Sequence, residues 1–389
     1  MSVEFVLGHQ DHHKVEDFLA SRPDGVASIR LHPKYAHHQT AAAAAAREAA
    51  VDVLWDPRSE RLPEPDPDGR LVGLPGAGPA PLQLNTLAGR ASARQELVRQ
   101  VVEAHPEAAT IVTPPSFFIS DERTARLVVD LADLTRMTAD RPVRARLLVA
   151  STLPQELMRT IAIETAKAGI RSVELQVSPT LAERDGIRKI RLLFGFCDIL
   201  RSQGLHVVLG HAGNVGHAAV ALGHAHAYSV GIGQDEHVDH KSVMRRQVSP
   251  PPKRYDENGH VVGGGAWQGV YLPPLALTVS SSTARSLLEH SDIRTRIGCR
   301  IGRCAESVNG PVLDQKTHYL HARTAEMAAV KARPEPWRAT QELGRLRRAL
   351  ELRGIVNAGY RPTSAVLPTR TISGLLEAIE EERTPAIAH

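Results

Sequence analysis

Two groups of residues have the types and spacing to do chemistry. The first is Cys299-Arg-Ile-Gly-Arg-Cys304, followed by Thr317-His318-Tyr319-Leu320-His321. Two thiols and two imidazoles at this range can hold a metal tetrahedrally, and zinc suits that donor set. The step between Cys299 and Cys304 is longer than the usual C-x2–4-C knuckle. Spacing alone therefore leaves a plainer reading open, in which two thiols are buried and the histidines sit on a helix surface.

The second group gathers at the ends of predicted strands. His32, Asp56, Ser116, Gln176, His211, Ser229, Asp235 and Glu236 each fall at or just past the end of a short apolar run. In parallel α/β proteins that edge is where sites are built. Asp235, Glu236 and Asp56 are the candidate catalytic carboxylates, as an acid/base pair or a nucleophile. His32, Ser116, Gln176, His211 and Ser229 are the candidates for binding substrate. Asp235 and Glu236 are adjacent, so a regular strand would point them to opposite sides, while a loop need not. Lys241, Arg245 and Arg246 follow them. These cations either balance a solvated acidic loop or meet the phosphates of a tRNA or DNA partner.

The elements that must position these residues alternate. Apolar runs near 26, 51, 109, 144, 172, 206 and 226 read as strands, with an eighth near residue 3 or between Val270 and Leu277. Helical segments lie between most of them. Near-continuous apolar strands alternating with helices imply a parallel sheet. Seven or eight such units fit a (β/α)8 TIM-type barrel better than an open sheet. No glycine-rich dinucleotide turn follows the first strand, which weakens the Rossmann alternative. The expected division is a barrel over 1–298, a Cys/His unit over 299–335 packed on it, and a helical extension over 336–389.

The bulk properties agree with a large folded α/β protein. The chain has 389 residues, 42% of them hydrophobic, and a net charge of only +4 with neutral histidines. A globally basic nucleic-acid coat is not indicated. Three cysteines in so long a chain argue against a disulfide scaffold. The first residues lack the basic and apolar regions of a signal peptide, and no apolar run approaches the roughly 20 residues that span a bilayer. The expectation is a cytoplasmic protein without a membrane partner, with a homodimer as one arrangement.

With these residues in view, the chain resembles the tRNA-guanine transglycosylase superfamily over roughly residues 25–330. The unit strand–GHAGN–helix–ALGHAHAYSVGIG is similar to that family's late strand-helix-strand unit. A long Pro/Gly/Tyr segment then leads into a cysteine cluster, as in the family. The family's zinc motif is C-x-C-x2-C with a downstream histidine opening a helix. Here Cys299 and Cys304 match its first and third positions, Ile301 takes the middle one, and His318 opens a helix.

The resemblance implies a (β/α)8 barrel with a zinc subdomain inserted near its end. It implies cleavage of an N-glycosidic bond to a nucleobase by an Asp nucleophile, with a second Asp as acid/base. The nucleophile position falls on Ser229, and the second falls within 113–116, which holds no carboxylate. Asp235, Glu236 or Asp56 would have to substitute. The missing carboxylates also motivate a different class of function: a catalytically inactive barrel that binds nucleic acid or assembles a complex. An unrelated hydrolase or lyase built on His32, Asp56 and His211 is a third.

Overall fold

The computed structural model describes residues 1–252, 254–255, 257, 261–262, 268–360 and 366–383. Seven strands form one sheet: β1 (Ser2–Val6), β2 (Val26–Leu31), β3 (Asp52–Trp55), β4 (Arg144–Ala150), β5 (Ser172–Ser178), β6 (His206–Leu209) and β7 (Ala227–Gly231). Their spatial order is β3-β2-β1-β7-β6-β5-β4, and every pairing is parallel. The run near residue 3 thus supplies an interior strand of the sheet, between β2 and β7.

The sheet is strongly curled. β2 and β5 are separated by three strands in the sheet order, yet Arg30 of β2 pairs directly with Glu174 of β5. That contact can only cross the concave interior. Between the two edges runs the segment near 109, expected as a full strand. It keeps only bridges, Val112 with Val143 and Ile119 with Val149. Thr110 and Ile111 still donate their N–H groups to the Val53 carbonyl of β3, at 2.8 and 3.2 Å. Val112 donates to the Pro142 carbonyl at 2.9 Å, just ahead of β4. The segment therefore links both edges. It cannot extend into a longer ladder because Pro114 and Pro115 follow, and proline has no N–H to give.

Helices follow the strands. α1 (His12–Ala20) comes after β1 and α2 (Thr40–Glu48) after β2. α3 (Leu84–Gly89) and α4 (Ala91–Ala104) come after β3, and α5 (Glu122–Thr138) precedes β4. α6 (Gln155–Lys167), α7 (Ile187–Ser202) and α8 (Gly213–Leu222) follow β4, β5 and β6. One face of each strand, such as Ile29 and Leu31 or Val173, Leu175 and Val177, joins a single apolar core with these helices. α8 is built of small residues, and a Cβ at Gly216 would lie 2.6 Å from the Tyr228 Cβ. Only glycine lets α8 sit that close on β7.

After β7 come α9 (His240–Val248), an antiparallel pair β8 (Arg254–Tyr255) and β9 (Val261–Val262), and a second, β10 (Gly269–Leu272) and β11 (Leu277–Ser280). Then follow α10 (Ser281–Glu289), α11 (Ser291–Ile297), α12 (Gly310–Leu313) and α13 (Gln315–Lys331). α13 packs against β1 and α1, so it completes the outer layer on that side. Asp314 caps it, accepting from the Thr317 N–H at 3.3 Å, and is itself tied to Lys14 of α1 at 2.7 Å. Two C-terminal helices, α14 (Glu335–Gly359) and α15 (Arg370–Arg383), close the chain, with α15 packed on α7 and α8. Among the described residues no helix is long and apolar enough to cross a membrane.

A histidine latches α15 in place. His224 stacks on Phe194, and its two ring nitrogens lie 2.9 Å from Asp198 of α7 and 2.9 Å from Glu382 of α15. Burial would lower its pKa, but the two carboxylates outweigh that and raise it to about 9. The stabilisation is therefore complete below the ordinary imidazole value near 6.5 and is lost as pH rises through about 9. Limited proteolysis should cut ahead of α15 faster at pH 10 than at pH 7, and His224→Gln should remove that difference.

Candidate functional site

The concave face of the sheet is charged, which sets it apart from an apolar barrel core. Glu4, Arg30, Arg144, Arg146 and Glu174 are all less than a tenth exposed. They occupy alternate positions on strands whose other face enters the apolar core, as strand periodicity requires. Deep in this interior, Arg144 grips both oxygens of Glu4 at 2.8 and 2.7 Å and donates to Ser172 at 3.1 Å.

Nearer the C-terminal ends of the strands lies a second network. Glu174 pairs with Arg30 and accepts from Gln176 at 3.1 Å and Ser229 at 3.0 Å. Burial alone would raise the Glu174 carboxyl; the guanidinium of Arg30 overrides it and holds the pKa at about 2. Gln176 accepts from Arg146 at 3.0 Å. Arg146 in turn holds both oxygens of Asp56, at 3.0 and 2.8 Å, and one of Glu60 at 3.0 Å. Burial would raise Asp56 too, but Arg146, Arg30 and Arg58 keep it below the usual carboxylate range. A Cβ at Gly210 would come 2.6 Å from Gln176 and 2.7 Å from Glu174, so glycine there leaves room for this network.

Removing Arg146 should be costly. Arg146→Met leaves Asp56 and Glu60 buried without their shared cation, a loss of about 3–5 kcal/mol for such a broken pair. Denaturant unfolding would show it, and Arg146→Met/Asp56→Asn/Glu60→Gln should recover much of the loss.

Above this network opens a cavity of about 190 Å³, lined among others by Asp56, Arg146, Gln176, His211, Asp235 and His240. A wider groove of about 830 Å³ runs between α3 and α5, but no candidate residue lines it. In the mouth cavity, His211 and Asp235 stand apart from the locked network. Both have left-handed backbone, with φ of 52° and 53°, a conformation that costs a non-glycine residue roughly 1–2 kcal/mol. Such strain clusters at functional sites. His211 Nδ1 lies 2.9 Å from the Asp235 carbonyl oxygen. An acceptor there requires the proton on Nδ1, which leaves the Nε2 lone pair free. Burial lowers the His211 pKa, favouring the neutral ring. The Asp235 side chain is exposed.

The other candidates are placed as follows. Gln176 is in the mouth, but both ends of its amide are used within the network. Ser229 is fully buried beneath it, donating to Glu174. Ser116 is buried against β4, where its hydroxyl donates to the Arg146 carbonyl at 2.6 Å. His32 lies between the lining residues Leu31 and Pro33 without lining the cavity itself; it packs against Tyr35, and burial lowers its pKa to about 4. Glu236 diverges from Asp235. Its carboxylate faces away from the cavity to Arg323, Tyr319 and Thr278. Lys241, Arg245 and Arg246 are exposed on α9. Arg30, Glu60, Arg146 and Glu174 were not among the sequence candidates. The available signal was the charge at alternating positions in apolar strands, as in Arg144–Ala150 and Ser172–Ser178.

The Cys/His group does assemble. Donor atoms of Cys299, Cys304, His318 and His321 all lie within 4.8 Å of one another. Cys299 Sγ is 3.3 Å from His321 Nε2, and Cys304 Sγ is 3.7 Å from His318 Nδ1. The two histidines share one face of α13 because they are three residues apart. His318 Nε2 donates to the Tyr271 carbonyl at 2.6 Å. This fixes its tautomer and turns the Nδ1 lone pair inward, as for a metal-binding imidazole with its outer nitrogen anchored. The hydrogen bond from the Cys304 thiol, helped by those of His318 and His321, holds the Cys299 thiol well below its usual range. Two sulfurs and two imidazole nitrogens thus converge on one point and could hold a metal ion.

No family model and no curated protein matches the chain. Among solved structures it is similar to 3-dehydroquinate dehydratase from Enterococcus faecalis, at 10% identity over 64% of this chain and 92% of that one, with a TM-score of 0.35. It is also similar to a putative fructose-1,6-biphosphate aldolase from Coccidioides immitis, at 11% identity, 85% and 92% coverage and a TM-score of 0.36. The carboxyl transferase domain of Rhizobium etli pyruvate carboxylase is similar at 11% identity, 99% and 62% coverage and a TM-score of 0.37.

Proposed function

We propose that the chain is a (β/α)8 barrel enzyme of transglycosylase type, acting on the N-glycosidic bond of a nucleobase at its mouth, with zinc in the Cys/His cluster. The observation that carries this reading is the place of that cluster. Its cysteines lie in the insertion between β7 and α13, and its histidines on α13 itself, the helix that packs on β1, which is the arrangement the resemblance implied. In this reading the segment at 110–112, hydrogen-bonded to Val53 of β3 and Pro142 ahead of β4, would take the remaining strand position of the barrel. A set of two sulfurs and two nitrogens favours zinc, and four protein ligands would make a closed, structural site.

The mouth suits one heterocycle. Its volume of about 190 Å³ is below the roughly 300–1,000 Å³ of pockets for drug-sized ligands. Of the three candidate carboxylates, Asp56 is gripped by Arg146 and Glu236 by Arg323. Asp235 alone presents an exposed side chain at the cavity. It would face the positive charge that develops on the sugar carbon as the base departs. His211, neutral and with Nε2 free, would take the proton of the incoming nucleophile. Lys241, Arg245 and Arg246 on the adjacent α9 would meet phosphates if the base is presented in tRNA or DNA.

The test is a base-exchange and base-release assay. Zinc-loaded protein is incubated with labelled guanine and a 7-deazaguanine, with RNA, DNA and free nucleosides in separate arms. Incorporation or release in one arm identifies the substrate class. The second reading, an inactive binding component, is favoured by the two carboxylates already neutralised by arginine. Salt-sensitive nucleic-acid binding with no bond cleavage in any arm would select it.

A further inference from the structure

Asp235 holds an unfavourable backbone conformation, so something must hold Asp235. Three contacts do. His211 donates to its carbonyl oxygen at 2.9 Å. Gly269, the first residue of β10, donates its N–H to the Gly233 carbonyl at 2.7 Å. A Cβ on Gly233, whose φ is +70°, would come 2.9 Å from the Gly269 oxygen, so the two backbones are in close contact. The third contact is the neighbouring side chain. Glu236 reaches backward from the mouth and accepts from Arg323, Tyr319 and Thr278.

Two of those three donors are on α13, the helix that carries the cluster histidines. His318, Tyr319, His321 and Arg323 fall within two turns. The helix thus presents cluster donors and mouth-loop anchors from one rigid segment. β10 strengthens the link. The Tyr271 carbonyl accepts from His318 at 2.6 Å, its ring lies 3.6 Å beneath the Arg323 guanidinium, and its hydroxyl donates to Glu326 at 2.7 Å. Arg323 is fully buried, so solvent cannot replace Glu236 as its counter-charge. The other carboxylate facing Arg323, Glu326 of the same helix, lies 4.0 Å away, so a shift of α13 would move Glu236 or leave the buried guanidinium with that longer pair alone, and the second is the costlier course.

We propose that Arg323 and Glu236 are positioning residues for Asp235, and that a metal ion in the Cys299/Cys304/His318/His321 cluster fixes the mouth loop 233–239 through α13. The metal would tie two side chains of α13 to the chain that precedes α12. It would thereby set the rotation and position of the helix turn from which Tyr319 and Arg323 hold Glu236. The proposal takes Asp235 as the working carboxylate of the mouth, and so rests on the preceding reading for its functional meaning. The mechanical link is separable from it.

Hydrogen exchange on the full chain tests the link without any assay of activity. Zinc-loaded and chelator-stripped protein are compared peptide by peptide. The expected result is exchange of the 233–239 amides at least ten-fold faster after stripping, restored by zinc, with β4 unchanged. Glu236→Gln in the zinc-loaded protein should give the same fast exchange while zinc stoichiometry stays at that of the unaltered chain. Arg323→Lys should fall between, because it keeps the charge and loses the planar fork. If stripping unfolds the whole chain, β4 exchanges too, and the Glu236→Gln result then decides. Unchanged loop exchange in Glu236→Gln, equal loop exchange with and without zinc in a folded chain, or failure to take up zinc would each overturn the proposal. Absence of base exchange, with the loop still responding to zinc, would count against the transglycosylase reading only.

Discussion

Asp235→Asn should lower base exchange by roughly 10²–10⁴-fold, the range for a positioned side chain that works in the transition state. At 1.36 kcal/mol per decade this is about 2.7–5.4 kcal/mol of lost transition-state stabilisation. Substrate affinity should change far less, because the substitution keeps the shape of the side chain. The fold should also survive, since Asp235 is exposed and its described role in the loop runs through its backbone carbonyl. A loss confined to kcat, with an unchanged unfolding midpoint, is therefore expected. The pH dependence gives a second check. The proposed mechanism requires the neutral His211, and burial lowers its pKa. Activity should hold down to a pH below the ordinary imidazole value and fall only beneath it, and His211→Gln should abolish that limb. Equal rates for Asp235→Asn and the unaltered chain would remove Asp235 from the mechanism.

Cys304→Ser should abolish zinc binding and destabilise the chain. Metal analysis should give close to one zinc per unaltered chain and almost none for the variant. A ligand that binds only the folded state adds RT ln(1 + [L]/Kd), or about 4 kcal/mol at a thousand-fold excess of free ligand over Kd. A loss of that order is expected in denaturant unfolding at matched free zinc. Stripping zinc from the unaltered chain should bring it to the same midpoint. Cys197→Ser is the control. Cys197 is buried in α7, apart from the cluster, and burial pushes its thiol pKa far up. Its replacement should leave zinc stoichiometry untouched. A variant at Cys304 that keeps its zinc would mean that the donors found within 4.8 Å do not form the site.

Much of the architecture could be read from the residues. The apolar run near 206 reads as a strand, and β6 lies there at His206–Leu209. Local signals suffice there, because the backbone preferences of small, apolar and turn-forming residues act over a few positions. The segment near 109 shows the limit. Its apolar run reads as a strand, but whether it pairs depends on neighbours far along the chain, and the prolines after it cut the ladder to bridges.

The candidate site divides in the same way. The Cys/His group could be named from residue types, but its odd spacing said nothing of convergence. Convergence comes from α13 turning His318 and His321 onto one face and from the chain before α12 returning to meet them. At the mouth, residue type and strand-end position picked out Asp56, His211 and Asp235, which do line one cavity. Nothing local separated Asp235 from Glu236. The fold separates them, because Arg323 lies behind the loop and takes Glu236 as its partner. Arg30 and Glu174 are 144 residues apart and carry no mutual signal in the sequence. Side-chain chemistry and short-range periodicity are properties of neighbours in the chain, so the sequence determines which groups are available and on which elements. Charge pairing and burial are properties of neighbours in space. The tertiary structure alone decides which carboxylate is neutralised by an arginine and which is left facing the cavity.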